Sequence, residues 1–215
     1  FLHHKDGHRV PVEVRVLPLT DSEGRVSGAI EIFADRSDRA ELLAELESLR
    51  KESLIDPLTG LGNRRFADMS LDSAFRGLEE TGTGFGVLML DIDRFKAVND
   101  EYGHQAGDRV LRMIGWTMAN AVRRRDSAAR WGGEEFLVVA PGADLAILSD
   151  MAERARILVQ RSWITLEGNR RVSVTASIGG AVARPGEGKD RLIARADERL
   201  YACKRAGRNR VEVDG

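Results

Sequence analysis

The chain has 215 residues, which is enough for one full domain and part of a second. Its content of 42% hydrophobic and 31% charged residues is ordinary for a soluble globular protein. The formal net charge of -1 favours neither nucleic acid nor an anionic membrane surface as a partner. The one cysteine, Cys203, excludes an internal disulfide and indicates a reducing compartment, so we expect a cytoplasmic location.

The sequence contains no run of about 18 apolar residues, so no membrane-spanning segment is predicted in it. The chain starts at Phe1 in the middle of a strand-like pattern and without a signal peptide. We therefore expect a fragment of a longer protein, whose upstream part has room for a membrane anchor.

Residues 1–35 are predicted to form a β-hairpin. Apolar and polar residues alternate over 10–16, a turn is expected at 21–24, and a second strand at 26–33. Two strands alone are marginally stable, so they should belong to a larger sheet. The segments "HKDGHRVPVEV" and "GAIEIFADRSDR" resemble the C-terminal part of a PAS sensor domain. Three histidines suggest a metal site, but polar hairpin residues are the favoured interpretation of His3, His4 and His8.

Residues 36–55 are predicted to form a helical linker. Leu42, Leu46 and Leu49 follow the spacing of a coiled-coil seam, over about two heptads. The alternative is a single amphipathic helix that packs on its own domain. Because the segment lies between a sensor-like region and a new domain, we favour a signalling helix that forms a homodimer through residues 38–55.

Residues 56–215 show an alternation of strands and helices. Helices are predicted over residues 64–78, 108–123, 145–161 and 190–206. Strands are predicted over residues 85–93, 172–183 and 210–213, and as a hairpin of 127–131 with 135–140. The predicted fold class is therefore α+β, with a central mixed or antiparallel sheet that helices cover.

Acidic residues stand where the apolar strand 85–93 ends. Asp91 and Asp93 are two residues apart and so belong to one face of the strand. Buried carboxylates need partners, and Mg²⁺ is the usual one in enzymes that act on phosphates. If the hairpin in "RWGGEEF" lies beside this strand end, Glu134 would complete a metal site with Asp91. Gly132 and Gly133 would let a substrate approach the backbone. The alternative is a solvated turn with surface acids.

Four motifs in this order carry a family resemblance: "DPLTGLGNRR", "DIDRFKAVNDEYGHQAGDRVL", "RWGGEEF" and "YACKRAGRNRV". Together they resemble the GGDEF family, the diguanylate cyclases, over residues 56–215. The resemblance implies a palm-like domain that condenses two GTP molecules to cyclic di-GMP with release of two pyrophosphates. Since the product contains two nucleotides and each domain holds one, it also implies two copies that face each other across a two-fold axis.

The resemblance also implies the catalytic and metal-binding residues. Asp91, the backbone carbonyl of Ile92 and Glu134 would bind Mg²⁺, with Mn²⁺ as an alternative cofactor. Glu135 would assist in the same site. Asp93 is expected to hold the adjoining loop by hydrogen bonds instead of binding the metal.

Substrate recognition is implied by the same motifs. Asn99 and Asp108 match the residues that contact guanine, and a carboxylate suits the N1–H and 2-amino donors of that base. The triphosphate would meet cationic side chains, backbone amides and the glycine turn, at Phe95, Lys96, Gly132, Gly133, Lys204 and Arg208.

A further resemblance concerns "RRRD". Arg123 and Asp126 match an inhibitory site of the family that binds the product, and Arg154 matches a further arginine of that site. The alternative is a basic helix C-terminus that complements the helix dipole. Two other functions stay open from the sequence: a non-catalytic module that binds GTP or cyclic di-GMP, and a mononucleotide cyclase on a similar palm.

Overall fold

The computed structural model describes residues 2–3, 5–7, 9–10, 12–35 and 54–215. The chain divides into two compact units, Phe1–Ser53 and Leu54–Gly215, which are described separately. The predicted linker helix falls almost entirely on residues 36–53, so it and its leucine seam lie outside the described residues.

The N-terminal unit contains two antiparallel pairs of strands. The first pair joins β1 (Leu2–His3) to β2 (Arg9–Val10), and the second joins β3 (Val12–Thr20) to β4 (Val26–Asp35). The carboxylate of Asp21 accepts backbone hydrogen bonds at 2.9 Å from the two turn residues Glu23 and Arg25, which closes the turn between β3 and β4. The predicted hairpin is confirmed, with longer strands than the sequence pattern indicated.

The C-terminal unit is built around a five-stranded sheet. Its strands in chain order are β5 (Phe85–Ile92), β6 (Ser127–Gly132), β7 (Glu135–Pro141), β10 (Ala176–Val182) and β11 (Val211–Asp214). A separate small hairpin joins β8 (Trp163–Thr165) to β9 (Arg171–Ser173). The spatial order in the sheet is β11-β10-β5-β7-β6; β10 and β11 are parallel and all other neighbours are antiparallel.

Helices cover both faces of this sheet. They are α1 (Arg64–Thr81), α2 (Phe95–Tyr102), α3 (His104–Ala121), α4 (Leu145–Gln160) and α5 (Lys189–Arg205). All eight residues of the central strand β5 are buried, because alternate residues enter two different cores. Leu88 and Leu90 pack in the core of α3 and α4, whereas Val87 and Met89 pack in the core of α1 and α5. The predicted α+β class with a mixed, helix-covered sheet is confirmed.

Two features of the fold differ from the sequence prediction. The helix expected from residue 108 begins at His104, and the additional helix α2 precedes it. Only Phe95 and Val98 of α2 are buried, and two apolar positions are too few to show helical periodicity in the sequence. Gly103, with φ 81° and ψ 162°, separates the two helices. The strand expected over 172–183 is divided between β9 and β10.

No helix in the part of the chain that the structure describes is long and apolar enough to cross a membrane.

Candidate active site

The end of β5 lies directly beside the glycine hairpin. Asp91 on β5 is the cross-strand partner of Glu135 on β7, and the Ile92 amide donates to the Glu134 carbonyl at 3.4 Å. Directly opposite residues of an antiparallel pair point to the same face, so the Asp91 and Glu135 carboxylates share one side of the sheet. The predicted proximity of the hairpin to this strand end is confirmed.

The two glycines leave open space at the turn between β6 and β7. Gly133 has a φ of 40°, in the left-handed region that favours glycine, and a Cβ added there would meet no atom within 4 Å. A Cβ on Gly132 would meet only Glu135 Oε2, at 3.9 Å. Gly133 is therefore required by the turn itself, and both residues leave the backbone accessible to a ligand.

The carboxylates of this site carry more negative charge than their surroundings balance. Burial raises the pKa of Asp91 above its ordinary value. Burial and then the charge of Asp91 raise the pKa of both Glu134 and Glu135. One cation contacts the cluster directly: Lys204 Nζ lies 2.8 Å from Asp91 Oδ2. A bound divalent cation would neutralise the remaining charge, and carboxylate and carbonyl oxygens are ligands that Mg²⁺ prefers.

The residues at this edge fit a small metal site with few protein ligands. Within the described ranges, no group of three or more His, Cys, Asp or Glu side chains is arranged to hold a metal ion. The set expected from the family resemblance needs only two carboxylates, those of Asp91 and Glu134, together with the backbone carbonyl of Ile92. The remaining ligands of such an ion would come from substrate phosphates and water.

Asp93 has a structural role. Its carboxylate accepts hydrogen bonds from Ser177 Oγ at 2.7 Å, from Thr175 Oγ1 at 2.6 Å and from the Asn209 amide at 3.0 Å. These bonds use both carboxylate oxygens and tie the end of β5 to β10 and to the loop after α5. The prediction that Asp93 holds the loop by hydrogen bonds is confirmed.

The two expected guanine contacts meet where α2 gives way to α3. Asn99 and Asp108 are both half-buried, and the Asn99 side chain packs against Gly107. A Cβ on Gly107 would lie only 1.9 Å from Asn99 Oδ1, so only glycine admits the amide here. The glycine thus allows Asn99 to lie beside the helix turn that carries Asp108.

The expected phosphate contacts surround this region. Phe95 is buried, and Lys96 is exposed in the first turn of α2, which begins three residues after the end of β5. Arg208 is exposed in the loop after α5, and its charge opposes the raised pKa of Asp91. Lys204 on α5 contacts Asp91 itself. These cations and the carboxylates therefore border the same end of β5.

One ion pair that could not be predicted from the sequence holds the glycine hairpin in place. Arg130 donates to the Gly133 carbonyl from Nε at 2.9 Å and from Nη2 at 2.7 Å, and its Nη1 lies 3.3 Å from Asp56 Oδ2. Asp56 also accepts from the amide and hydroxyl of Thr59. Burial would raise the pKa of Asp56, but the Thr59 hydrogen bonds and Arg130 hold it below its ordinary value. The first motif thus fixes the turn of the third.

The "RRRD" segment forms a turn beyond a helix. Helix α3 ends at Ala121; the Arg123 amide then donates to Asp126 Oδ2 at 2.8 Å, and the Asp126 amide donates to the Arg123 carbonyl at 3.0 Å. Asp126 Oδ1 is buried without a hydrogen-bond partner. Arg154 on α4 donates twice to the Ala121 carbonyl. The structure therefore brings Arg154 to the helix end from which the turn begins.

Comparison with known proteins agrees with these observations. The model of the family "Diguanylate cyclase, GGDEF domain" matches residues 53–210, and a PAS fold model matches residues 1–41. The diguanylate cyclase DgcP of Pseudomonas aeruginosa is 36% identical over 198 residues, which cover 90% of this chain and 29% of DgcP. The response regulator PleD of Caulobacter vibrioides is 42% identical over 161 residues, which cover 74% of this chain and 36% of PleD.

Solved structures show the same fold. The coiled coil and GGDEF domain of DgcB from Caulobacter crescentus, in complex with c-di-GMP, matches with a TM-score of 0.78 and 36% identity. The match covers 82% of this chain and 94% of that one. The diguanylate cyclase SiaD of Pseudomonas aeruginosa, in complex with its activator SiaC, matches with a TM-score of 0.74 and 38% identity, over 82% and 68% of the two chains.

The five-stranded sheet with helices on both faces places the C-terminal unit in the class of palm-like α+β domains. The chain belongs to the GGDEF family, and the match of a PAS fold model to residues 1–41 supports the predicted resemblance of that segment to the C-terminal part of a PAS domain. The chain spans about a third of the length of the curated relatives named above, at 29% and 36%.

Proposed function

We propose that this chain is an active diguanylate cyclase that condenses two GTP molecules into cyclic di-GMP and two pyrophosphates. The observation that carries the proposal is the carboxylate cluster of Asp91, Glu134 and Glu135 at an open glycine turn, with raised pKa values. Carboxylates with excess negative charge at an open turn suit a site that holds a divalent cation for catalysis.

In the proposed reaction, the 3′-hydroxyl of each GTP attacks the α-phosphorus of the other, and pyrophosphate leaves. Diguanylate cyclases of this family are metal-dependent in general. We assign Mg²⁺ here, with Mn²⁺ as an alternative, held by Asp91, the Ile92 carbonyl and Glu134. When bound, the ion supplies charge neutralisation at the phosphates.

The protein's own residues supply position and a proton acceptor. Lys96, Lys204 and Arg208 would bind the phosphates, with the amides at the start of α2, and so bring GTP to the metal site. Glu135 lies across from Asp91, and its raised pKa makes it a stronger base than an ordinary carboxylate. This placement suits it to assist removal of the hydroxyl proton.

Guanine specificity is assigned to the junction of α2 and α3. Asp108 would accept from N1–H and the 2-amino group, and Asn99 would make a further polar contact with the base. Adenine presents an acceptor at N1, which a carboxylate repels, so the site should reject ATP. Asp108→Ser should lower kcat/KM for GTP and reduce the ratio of kcat/KM for GTP to kcat/KM for ATP. An unchanged ratio would show that Asp108 does not recognise the base.

The symmetric product requires two GTP-loaded domains that face each other, so we propose a homodimer through residues 38–55, for which the sequence predicts a helix. The similar DgcB structure contains a coiled coil together with its GGDEF domain, which supports this assignment. A cytoplasmic location, proposed from the single cysteine, is consistent with GTP as the substrate.

Product inhibition is proposed at Arg123, Asp126 and Arg154. The support is their arrangement around the end of α3 and the unpartnered buried oxygen of Asp126. Arginine side chains grip phosphates in a bidentate manner and stack on bases. Arg123→Ala should raise the inhibition constant of cyclic di-GMP by about ten- to a hundredfold, with the initial rate near that of the parent. The exposed neighbour variant Arg124→Ala is the control, and equal inhibition of both variants would contradict the assignment.

One assay tests the proposed function. The chain is incubated with GTP and Mg²⁺ at several enzyme concentrations, and the product is identified by mass. We expect cyclic di-GMP, with a specific activity that rises with enzyme concentration as dimers form. Absence of turnover would indicate a binding module, and cyclic GMP would indicate a mononucleotide cyclase. A constant specific activity from a chain that sediments as a monomer would contradict the dimer.

A further inference from the structure

Three consecutive residues after α5 adopt left-handed backbone conformations. Gly207 has a φ of 110°, Arg208 of 67° and Asn209 of 46°. The left-handed region is unfavourable for residues with a Cβ, and less so for asparagine. Two such residues in succession persist only where the surrounding structure holds them. The contacts of this loop, residues 207–209, therefore show what keeps Arg208 in place.

Asn209 is held from two directions. Its backbone amide donates to Asp93 Oδ2 at 3.0 Å, and Asp93 is fixed to the sheet by Thr175 and Ser177. Its side-chain oxygen accepts from Arg156 Nη1 on α4 at 2.7 Å. The loop is thus attached to the central sheet through its backbone and to α4 through its side chain.

Arg156 is itself held in one orientation. Its Nε and Nη2 donate to the two carboxylate oxygens of Glu153 at 2.8 and 2.6 Å, and Nη1 also donates to Gln160 Oε1 at 2.9 Å. Only 14% of the side chain is exposed. A guanidinium that is bound on both edges presents Nη1 to Asn209 in a fixed direction, which a flexible lysine ammonium would not do.

Loop 207–209 lies beside the candidate active site, because Asn209 is bonded to Asp93, two residues after Asp91, and the charge of Arg208 opposes the raised pKa of Asp91. Arg208 is exposed and also lines a cavity of about 760 Å³ next to this site, together with Asp93, Arg94 and Gln160. Its amide donates to the Cys203 carbonyl at 3.0 Å, which anchors the backbone of Arg208 at the end of α5. The Asn209 contacts maintain the left-handed conformation and so fix the backbone from which the Arg208 side chain extends.

We infer that Arg156 is a positioning residue for substrate binding: through Asn209 it holds loop 207–209 so that Arg208 reaches the triphosphate of GTP. The inference rests on the proposed function, because it takes the triphosphate as the ligand of Arg208. Arg156 touches no reacting atom in this assignment. Its removal should therefore weaken GTP binding without changing the chemical step.

The test uses Arg156→Met, which keeps an unbranched side chain and removes every donor. We expect KM for GTP to rise by about tenfold and kcat to change by less than about twofold, because uniform binding energy is lost. Arg156→Lys should give an intermediate KM, since lysine keeps the positive charge but lacks the planar guanidinium that donates to several partners at once. Arg161→Met, at the exposed end of the same helix, is the matched control and should leave KM unchanged.

A double-mutant cycle separates positioning from general damage to the fold. In an Arg208→Ala background, Arg156→Met should raise KM by less than about twofold further, because Arg156 acts through Arg208. An unchanged KM in the single variant, or an equal rise in both backgrounds, would overturn the inference. If Arg156→Met does not fold, Asn209→Gly removes the acceptor and keeps the left-handed backbone accessible, and it should produce the same rise.

Calorimetric binding of a non-hydrolysable GTP analogue distinguishes failure of this inference from failure of the proposed function. If the parent binds the analogue and makes no cyclic di-GMP, the proposed function fails. The inference is still decided in that case, because Arg156→Met should weaken analogue binding by about the same factor of ten. Equal affinities of the parent and Arg156→Met would refute it whatever the activity.

Discussion

The two ends of the central sheet differ in how far their ionised side chains are paired within the protein. At one end, Asp91 and Glu135 stand directly opposite each other on β5 and β7. At the other end, Arg195 of α5 lies among carboxylates and carbonyls where β10 ends at Val182. The register of β5 with β10 places Ile92 beside Ala176 and runs to Val182, so the two clusters are separated by the length of the sheet.

The Arg195 end is balanced. Its guanidinium lies 2.8 Å from Glu187 Oε2 and 2.9 Å from Asp214 Oδ2, and it donates to the Val182 carbonyl at 3.1 Å. Burial would raise the pKa of Asp214, but the hydrogen bond and charge of Arg195 hold it below its ordinary value. The contribution of Asp214 to stability is therefore complete above that ordinary pKa and is lost as the pH falls through the folded-state pKa.

The contrast indicates that the Asp91 end of the sheet contributes less to stability than the Arg195 end. Ionised groups at the Arg195 end have partners inside the protein, so folding satisfies them. At the Asp91 end Lys204 pairs with only one of the three carboxylates, and the proposed cation would balance the remaining charge. A site whose charges are already neutralised within the protein would gain less free energy from binding a cation.

The largest effect is expected from removing charge at the Asp91 end. Asp91→Asn or Glu134→Gln should lower kcat by at least about a hundredfold, because the proposed metal loses a ligand. The melting temperature should change by only a few degrees, since Asp91→Asn loses the ion pair with Lys204 but also removes a buried charge that lies opposite Glu135. Steady-state assays with Mg²⁺ and thermal melts measure the two quantities. Retention of more than a few per cent of the parent's kcat would contradict the metal assignment.

The opposite result is expected at the other end of the sheet. Arg195→Met leaves two carboxylates without their central partner and should destabilise the domain by about 3 kcal/mol. Arg191→Met, at an exposed position of the same helix, is the control and should stay within about 0.5 kcal/mol of the parent. Urea unfolding measures both. If Arg195→Met and Arg191→Met unfold at the same urea concentration, the ion pairs of Arg195 do not stabilise the fold.

Periodic elements of the fold could be predicted from the sequence, and sparse ones could not. The apolar run of β5 and the hairpin of β6 and β7 follow from local patterns. Helix α2 has two buried residues and the strands of the β8–β9 hairpin have three residues each, which is too few to establish a period. Their positions depend on packing with distant segments.

The same division holds within the site. The meeting of Asp91 with the glycine hairpin could be predicted, because both stand at the ends of apolar strands. The ion pair of Asp56 with Arg130 joins residues that are 74 positions apart in the chain. The hydrogen bond of Arg156 to Asn209 joins residues that are 53 positions apart. No local pattern links residues so far apart. The family resemblance identifies the motifs that contain Asp56, Arg130 and Asn209, but not Arg156, and it does not state which side chains touch.

The smallest effect should appear when one member of the like-charged pair is neutralised. Asp91 and Glu135 are direct cross-strand partners, and like charges in that position destabilise a sheet by about 0.2–1 kcal/mol. Glu135→Gln keeps the shape of the side chain and removes its charge. In metal-free buffer at pH 7.5 the variant should therefore be more stable than the parent by about that amount, even as its activity falls. Glu80→Gln, at an exposed position of α1, is the control and should not differ from the parent.

The pH dependence of this gain sharpens the prediction. Burial first, and then the charge of Asp91, raise the pKa of Glu135 in the folded state. The folded protein therefore binds this proton more tightly than the unfolded chain, and the parent loses stability as the pH rises from the ordinary pKa of Glu135 through the raised one. The advantage of Glu135→Gln should be absent near pH 4 and fully developed at pH 7.5, which is opposite in sign to the contribution of Asp214. Urea midpoints at the two pH values measure it. A variant less stable than the parent at pH 7.5 would show that Glu135 has a partner that balances its charge, and that the two ends of the sheet do not differ as their contacts indicate.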